Sequence, residues 1–170
     1  MSKINLKYFG VININTNSAE EEYHSTEINL DGKIVSISLS FNGKAVDSES
    51  FEVVQDFLKS LNELQSIAEK GIKKNFKDGG MVKYYIDKYL EDWEYFNERV
   101  LREILREVDK TEKRENQLLA ALKLVHVRFH DDVGGDFSVI MDYAIDQDID
   151  DWVVVNINKD KKIDYITLES

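Results

Sequence analysis

The stretch "INLDGKIVSI", residues 28–37, decides the fold of this chain. Asp31-Gly32 favours a type I′ turn, in which both central residues need positive φ. On either side apolar and polar residues alternate, the period of a strand with one buried face. A two-residue loop pairs Leu30 with Lys33, Ile28 with Val35, Thr26 with Ile37 and His24 with Leu39. Asn29, Glu27 and Ser25 then share the opposite face with Ile34, Ser36 and Ser38. Turn chemistry and face segregation choose the same register, so residues 21–42 read as a hairpin with one buried face. Upstream, "KINLKYFGVI" (3–12) supplies a further strand.

Downstream the period becomes helical. Val54, Phe57, Leu58, Leu61, Leu64, Ala68 and Ile72 fall on one side of a helical wheel, with Glu52, Asp56, Lys59, Glu63 and Lys70 on the other. Asp47 or Ser48 can cap the start, and "KDGG" (77–80) ends this helix or the loop after it. A second helix is expected from about Met81 to Val108, on a stripe from Val82 and Ile86 through Trp93 and Ile104 to Val108. Its far side carries Tyr84 and Tyr95 among Lys88, Glu91, Arg102 and Arg106. Such tyrosines either anchor a protein contact or lie against a neighbouring loop with wet hydroxyls. Asp109 and Glu112 have capping-box spacing, which predicts a third helix from about Lys110 through "NQLLAALK" (116–123).

The final third returns to period two. "LKLVHVRFH" (122–130) alternates, and Phe137, Val139, Met141, Tyr143 and Ile145 share a face in the strand after "DDVGGD" (131–136). "WVVVNIN" and "KIDYITLES" follow, joined by "KDK"; loops of two and of three residues both keep apolar pairs there. The expectation is an α+β fold in a single domain spanning 1–170. A mostly antiparallel sheet, built from N-terminal strands (about 3–42) and C-terminal strands (about 124–169), is covered on one face by two to three central helices (about 48–122).

Composition narrows the function classes. With no cysteine among 170 residues, disulfides, thiolate metal sites and cysteine nucleophiles are excluded. The net charge of −11 argues against nucleic acid as a partner, since counterion release needs a basic footprint. No apolar run reaches the ~20 residues of a membrane span, and "MSKINLKYFG" lacks a signal-peptide layout, so the protein is expected to be soluble and cytoplasmic. Charge is uneven: residues 126–170 hold ten Asp and one Glu against one Arg and three Lys, a balance of −7 out of −11.

"DYAIDQDIDDWVVV" (142–155) opens like a calcium loop, with Asp146, Asp148 and Asp150 alternating. A calcium loop starting at Asp146 needs glycine at its sixth position and glutamate at its twelfth; Asp151 and Ile157 stand there. The aspartates read instead as the polar cap of a strand-to-strand connection. His126 and His130, four apart on a strand, are roughly 13 Å from each other, too far to share an ion. The serines of "SISLS" (36–40) lie on the hairpin's solvent face, without a glycine-flanked elbow. No catalytic, cofactor or metal site emerges.

The C-terminal stretch "FSVIMDYAIDQDIDDWVVVNINKDKKIDYITLES" resembles a family of small bacterial domains of unknown function. The resemblance lies in Phe137, Asp142, Tyr143, Ile149, Asp151, Ile166, Glu169 and Ser170, and extends to "DGKIVSISLSFN" (31–42) and the helix after it. The last turn carries "KDKK" where a glycine is expected. The resemblance implies an α+β fold and no known catalytic residues, and some relatives are associated with toxin-immunity proteins. The leading expectation is a non-enzymatic, immunity-like module that presents Asp131, Asp132, Asp136, Asp146, Asp148 and Asp150 to a basic protein partner, since clustered carboxylates speed such encounters. The rivals are an enzyme or divalent-cation-binding protein using those carboxylates, and a homo-oligomer associating through Tyr84 and Tyr95.

Overall fold

The computed structural model describes residues 2–14, 22–41, 48–91, 102–106, 108–131, 137–146 and 151–170. The N-terminal strands are β1 (Ser2–Leu6), β2 (Gly10–Ile14), β3 (Glu22–Leu30) and β4 (Lys33–Phe41). The helices α1 (Ser48–Lys59), α2 (Leu61–Lys77), α3 (Met81–Glu91) and α4 (Arg114–Ala121) come next, with residues 102–104 also helical. The chain closes with β5 (Lys123–Asp131), β6 (Phe137–Ala144), β7 (Trp152–Ile157) and β8 (Ile163–Glu169). Strands β3 to β8 form one six-stranded sheet in chain order, antiparallel at every pairing except β4–β5. The fold is α+β. Its one parallel pairing falls where the helical segment intervenes, as a crossover requires.

The β3–β4 hairpin has the expected register, from Leu30↔Lys33 to His24↔Leu39. Asp31 and Gly32 adopt φ of 49° and 81°, and Asn29 Oδ1 accepts the Gly32 N–H at 2.8 Å. The N-terminal segment corrects the reading of one further strand. β1 and β2 pair with each other in a separate two-stranded sheet. Leu6 and Ile12 join the common core, and Lys7 N–H donates to Gln55 Oε1 on α1 at 3.3 Å.

The first expected helix is divided at Ser60, which leaves helical geometry at φ −106°, ψ 21°. The Ser60 hydroxyl donates to the Asp56 carbonyl, a back-bond that bends helices. Leu64 N–H still reaches Ser60 O at 3.0 Å, so the apolar stripe stays in phase and Val54 to Ile72 remain buried. α3 begins as expected, where Asn75 Oδ1 accepts the Val82 N–H at 2.9 Å. Of the rest of this expected helix, 92–101 lie outside the described residues; residues 102–104 are helical and 105–106 form a turn, ahead of the expected end at Val108. The Asp109–Glu112 capping box does not form. Asp109 Oδ1 instead accepts Thr111 N–H (2.9 Å) and Oγ1–H (2.7 Å), and α4 starts later, at Arg114.

One face of the large sheet packs under the helices. Phe129 on β5 meets Phe57 of α1 at 6.4 Å between ring centres, and Val127, Val139, Met141, Val153 and Val155 are fully buried with it. Gly71 lets α2 approach β8, because a Cβ there would strike the Ile163 side chain. A bulge at Val125 turns both Leu124 and Val127 to this inner face, leaving His126 and Arg128 on the outer one.

Hydrogen bonds settle the last hairpin in favour of the three-residue loop. Asn158 N–H donates to Lys162 O at 2.9 Å, and Lys161 takes φ 57° at the loop position where glycine is favoured. The Lys161 ammonium pairs with Asp56 (3.1 Å) and Glu63 (3.3 Å), contacts a glycine could not make.

Candidate functional site

The acidic connection between β6 and β7 is held at both feet by α3. Tyr85 is buried, and its hydroxyl accepts the Ile145 N–H at 3.4 Å while donating to the Asp151 carbonyl at 3.2 Å. The Asp151 carboxylate accepts from Lys88 and, at 3.1 Å, from Tyr89. The Lys88 hydrogen bond, with that of Tyr89, holds the Asp151 carboxyl below the usual carboxylate range. Burial pushes the Tyr85 phenol up to about 12, and burial likewise raises Tyr89. Both therefore stay neutral donors at physiological pH. One helical turn thus fixes residues 145 and 151, the two ends of the segment that contains Asp146, Asp148 and Asp150. Tyr84, 65% exposed, lies one turn before Lys88 on the same helix, which brings it to this end of the sheet.

The other acidic stretch lies elsewhere. Asp131 ends β5 opposite Phe137, whereas Asp146 follows Ala144 at the far end of β6. From Phe137 to Ala144 a strand covers about 24 Å at ~3.4 Å per residue. Asp131 and Asp146 therefore do not share one compact patch. Asp132, Asp136, Asp148, Asp150 and Tyr95 lie outside the described residues. Among the described residues, no group of three acidic or histidine side chains is placed to hold a metal ion.

Sequence reasoning missed a polar network on the outer face of the sheet. Asp142, in the middle of β6, is 0% exposed, and its Oδ1 accepts from Arg128 Nη2 at 2.7 Å. The same guanidinium nitrogen donates to Glu169 Oε2 at 2.8 Å. Arg128 lies on β5 and Glu169 on β8, so this pair reaches across two strands, about 14 Å at ~4.8 Å per strand. Asp142 and Val154, the paired outer-face residues of the strands it crosses, are both fully buried. Burial pushes the Asp142 carboxyl up, with Arg128 pulling against that rise. Beside it, Ser38 Oγ stands 2.9 Å from His126 Nε2, and His126 Nδ1 is 3.8 Å from Asp142 Oδ2. Burial, with Arg128 alongside, holds His126 below its ordinary 6.5, so the ring is neutral at pH 7 and Ser38 can donate to Nε2.

Serine, histidine and aspartate in line invite comparison with a nucleophilic triad. Here 3.8 Å is too long for a hydrogen bond, Asp142 is committed to Arg128, and Ser38 is 4% exposed in mid-strand. The line holds strands together and offers no relay to a substrate. Its signal in the sequence was a charge inside an apolar run, Asp142 in "FSVIMDYA" and Arg128 in "LVHVRF", since buried charges need partners.

No family model, no curated protein and no solved structure matches this chain.

Proposed function

We propose that this chain is a bacterial cytoplasmic protein-binding module, immunity-like in action, that presents the acidic β6–β7 connection to a basic surface on a partner protein. The observation that carries this reading is the clamp at residues 145 and 151. A loop whose two ends are fixed on a helix loses less conformational freedom on docking, and preorganisation of that kind raises affinity. Its carboxylates sit in the part of the chain that holds −7 of the net −11, which steers a cationic partner at long range. Tyr84, exposed on the same helix, supplies an aromatic contact beside the loop.

The reading is tested by capture of a basic protein from the source cells on immobilised chain, at low and moderate salt. Wild-type protein should retain a basic partner more tightly at low salt. Asp148→Lys should abolish retention, and Tyr85→Phe should weaken it while leaving the fold intact. Retention indifferent to Asp148→Lys sinks the proposal. Calorimetric binding of Ca²⁺, Mg²⁺ or Mn²⁺ that disappears in Asp146→Asn would favour the cation-binding rival. Sedimentation as a dimer that Tyr84→Glu dissociates would favour the homo-oligomer.

A further inference from the structure

Every strand of the six-stranded sheet except β3 and β8 has a neighbour on both sides. The two edges are finished differently. On β8, Asp164 stands unpaired in a bulge between Ile163 and Tyr165, and such irregularities blunt an edge against further pairing. β3 has no such defence. It runs nine residues in unbroken register with β4, with neither proline nor lysine, where strands typically have about 5–6.

The turn decides which of its groups face outward. A two-residue type I′ loop makes Leu30 and Lys33 a hydrogen-bonded pair, so the even-numbered residues of β3 direct their N–H and C=O groups to β4. Tyr23, Ser25, Glu27 and Asn29 direct theirs away from it. These outward backbone groups have no hydrogen-bond partner among the described residues. The side chains of the same four residues, on the outer face, are all exposed.

We propose that β3 is the interface of a two-fold dimer, in which it pairs antiparallel with β3 of a second copy about an axis at Thr26. The strand is complementary to its own reverse in that register. Tyr23 falls opposite the second copy's Asn29 and Ser25 opposite its Glu27, so every outward group of both strands gains a partner. Both carboxylates meet neutral residues, Glu22 facing Leu30 and Glu27 facing Ser25. Thr26, half-buried on the inner face, meets its counterpart, a pairing that stabilises antiparallel sheets. An axis at Glu27 would set two carboxylates face to face, and one at Ser25 would carry Asn29 past the end of the other β3. Pairing β3 with the bulged β8 edge of another copy would propagate without closing, whereas β3 on β3 closes and leaves neither of these edges open. The net −11 opposes association of two copies. The carboxylates of β6–β8, however, lie three or more strand spacings from this edge, about 14 Å at ~4.8 Å each and beyond a Debye length of about 8 Å. What repulsion remains is screened by salt, so this contact tightens as salt is raised.

Sedimentation velocity of the full chain over a concentration series tests the interface. A monomer–dimer equilibrium is expected that shifts toward dimer as salt rises. Ser25→Lys sets an ammonium opposite the second copy's Glu27 and should tighten the dimer roughly fivefold, and Ser25→Glu should loosen it by about as much. Both changes fall on an exposed side chain and spare the hairpin. Ser25→Pro deletes an outward N–H that β4 does not use, and should give a monomer with unchanged far-UV circular dichroism. A chain that stays monomeric up to about 1 mM overturns the proposal, as does a dimer indifferent to both Ser25→Lys and Ser25→Glu. Open-ended polymers, or a dimer that Tyr84→Glu dissociates, overturn it too. Salt separates this contact from the one proposed for the β6–β7 connection, which weakens as salt is raised.

Discussion

Strand β5 shows two ways of burying a surface, one on each side of the same backbone. Val127 and Phe129 face the helices and exclude water by close apolar packing. His126 and Arg128 face outward and do so by hydrogen bonds, to Ser38, Asp142 and Glu169. The inner face is held by contacts that are individually weak and collectively large, so any deletion leaves a hole. The outer face is held by a few charged groups whose loss matters chiefly through the partner left behind. The difference lies in how damage propagates.

The largest expected effect is on the inner face. Phe129→Ala should cost about 3–5 kcal/mol in urea unfolding, and no second apolar-to-apolar change nearby should restore most of it. On the outer face, Arg128→Met should cost about 3 kcal/mol, because the fully buried Asp142 carboxylate loses its donor. Arg128→Met/Asp142→Leu should recover most of that loss. A double variant no more stable than the single would erase the proposed contrast between the faces.

A smaller effect sharpens the inner side. Gly71→Ala should destabilise by about 1–3 kcal/mol despite the better helix propensity of alanine, because its methyl meets Ile163. Adding Ile163→Val, which removes the colliding methyl, should return much of the loss; failure to do so would locate the strain elsewhere.

The smallest effect separates the faces by pH. His126 is held below its ordinary 6.5, so the unfolded chain takes up a proton there before the folded one does. Its contribution is fully present above pH 6.5 and is lost as pH falls toward the folded value, and His126→Asn should flatten that part of the stability profile. Asp142 works in the other sense. With its carboxyl raised by burial, its contribution is present below 3.8 and lost as pH rises through the folded value. Phe129→Ala should leave both slopes untouched.

The hairpin at residues 28–37 was legible because turn residues and alternation gave independent votes for one register, and every predicted pair occurs. The stripe from Val54 to Ile72 was equally plain, yet the division at Ser60 was hidden. Neither glycine nor proline marks it, and the apolar period runs through unbroken. Asp109 and Glu112 have the spacing of a cap, but the competing bonds to Thr111 lie within two residues and carry no separate signature. The clamp by Tyr85 escaped notice for another reason. Tyr85 and Asp151 are far apart in the chain, and only the crossing of α3 over the end of the sheet brings them together. Asp142 and Arg128 were visible as charges in apolar strands, while their pairing depended on a strand order that periodicity does not supply.

The parallel pairing of β4 with β5 bears on how quickly the molecule assembles. Each flanking group of strands closes through connections between chain neighbours, whereas this seam must wait for the whole stretch 42–122 to be gathered in. Loop-closure entropy falls on that single step, which makes it the natural kinetic bottleneck. Substitutions such as Ile37→Val at the seam should slow refolding followed by tryptophan fluorescence, while changes in the β7–β8 hairpin should act mainly on the rate of unfolding.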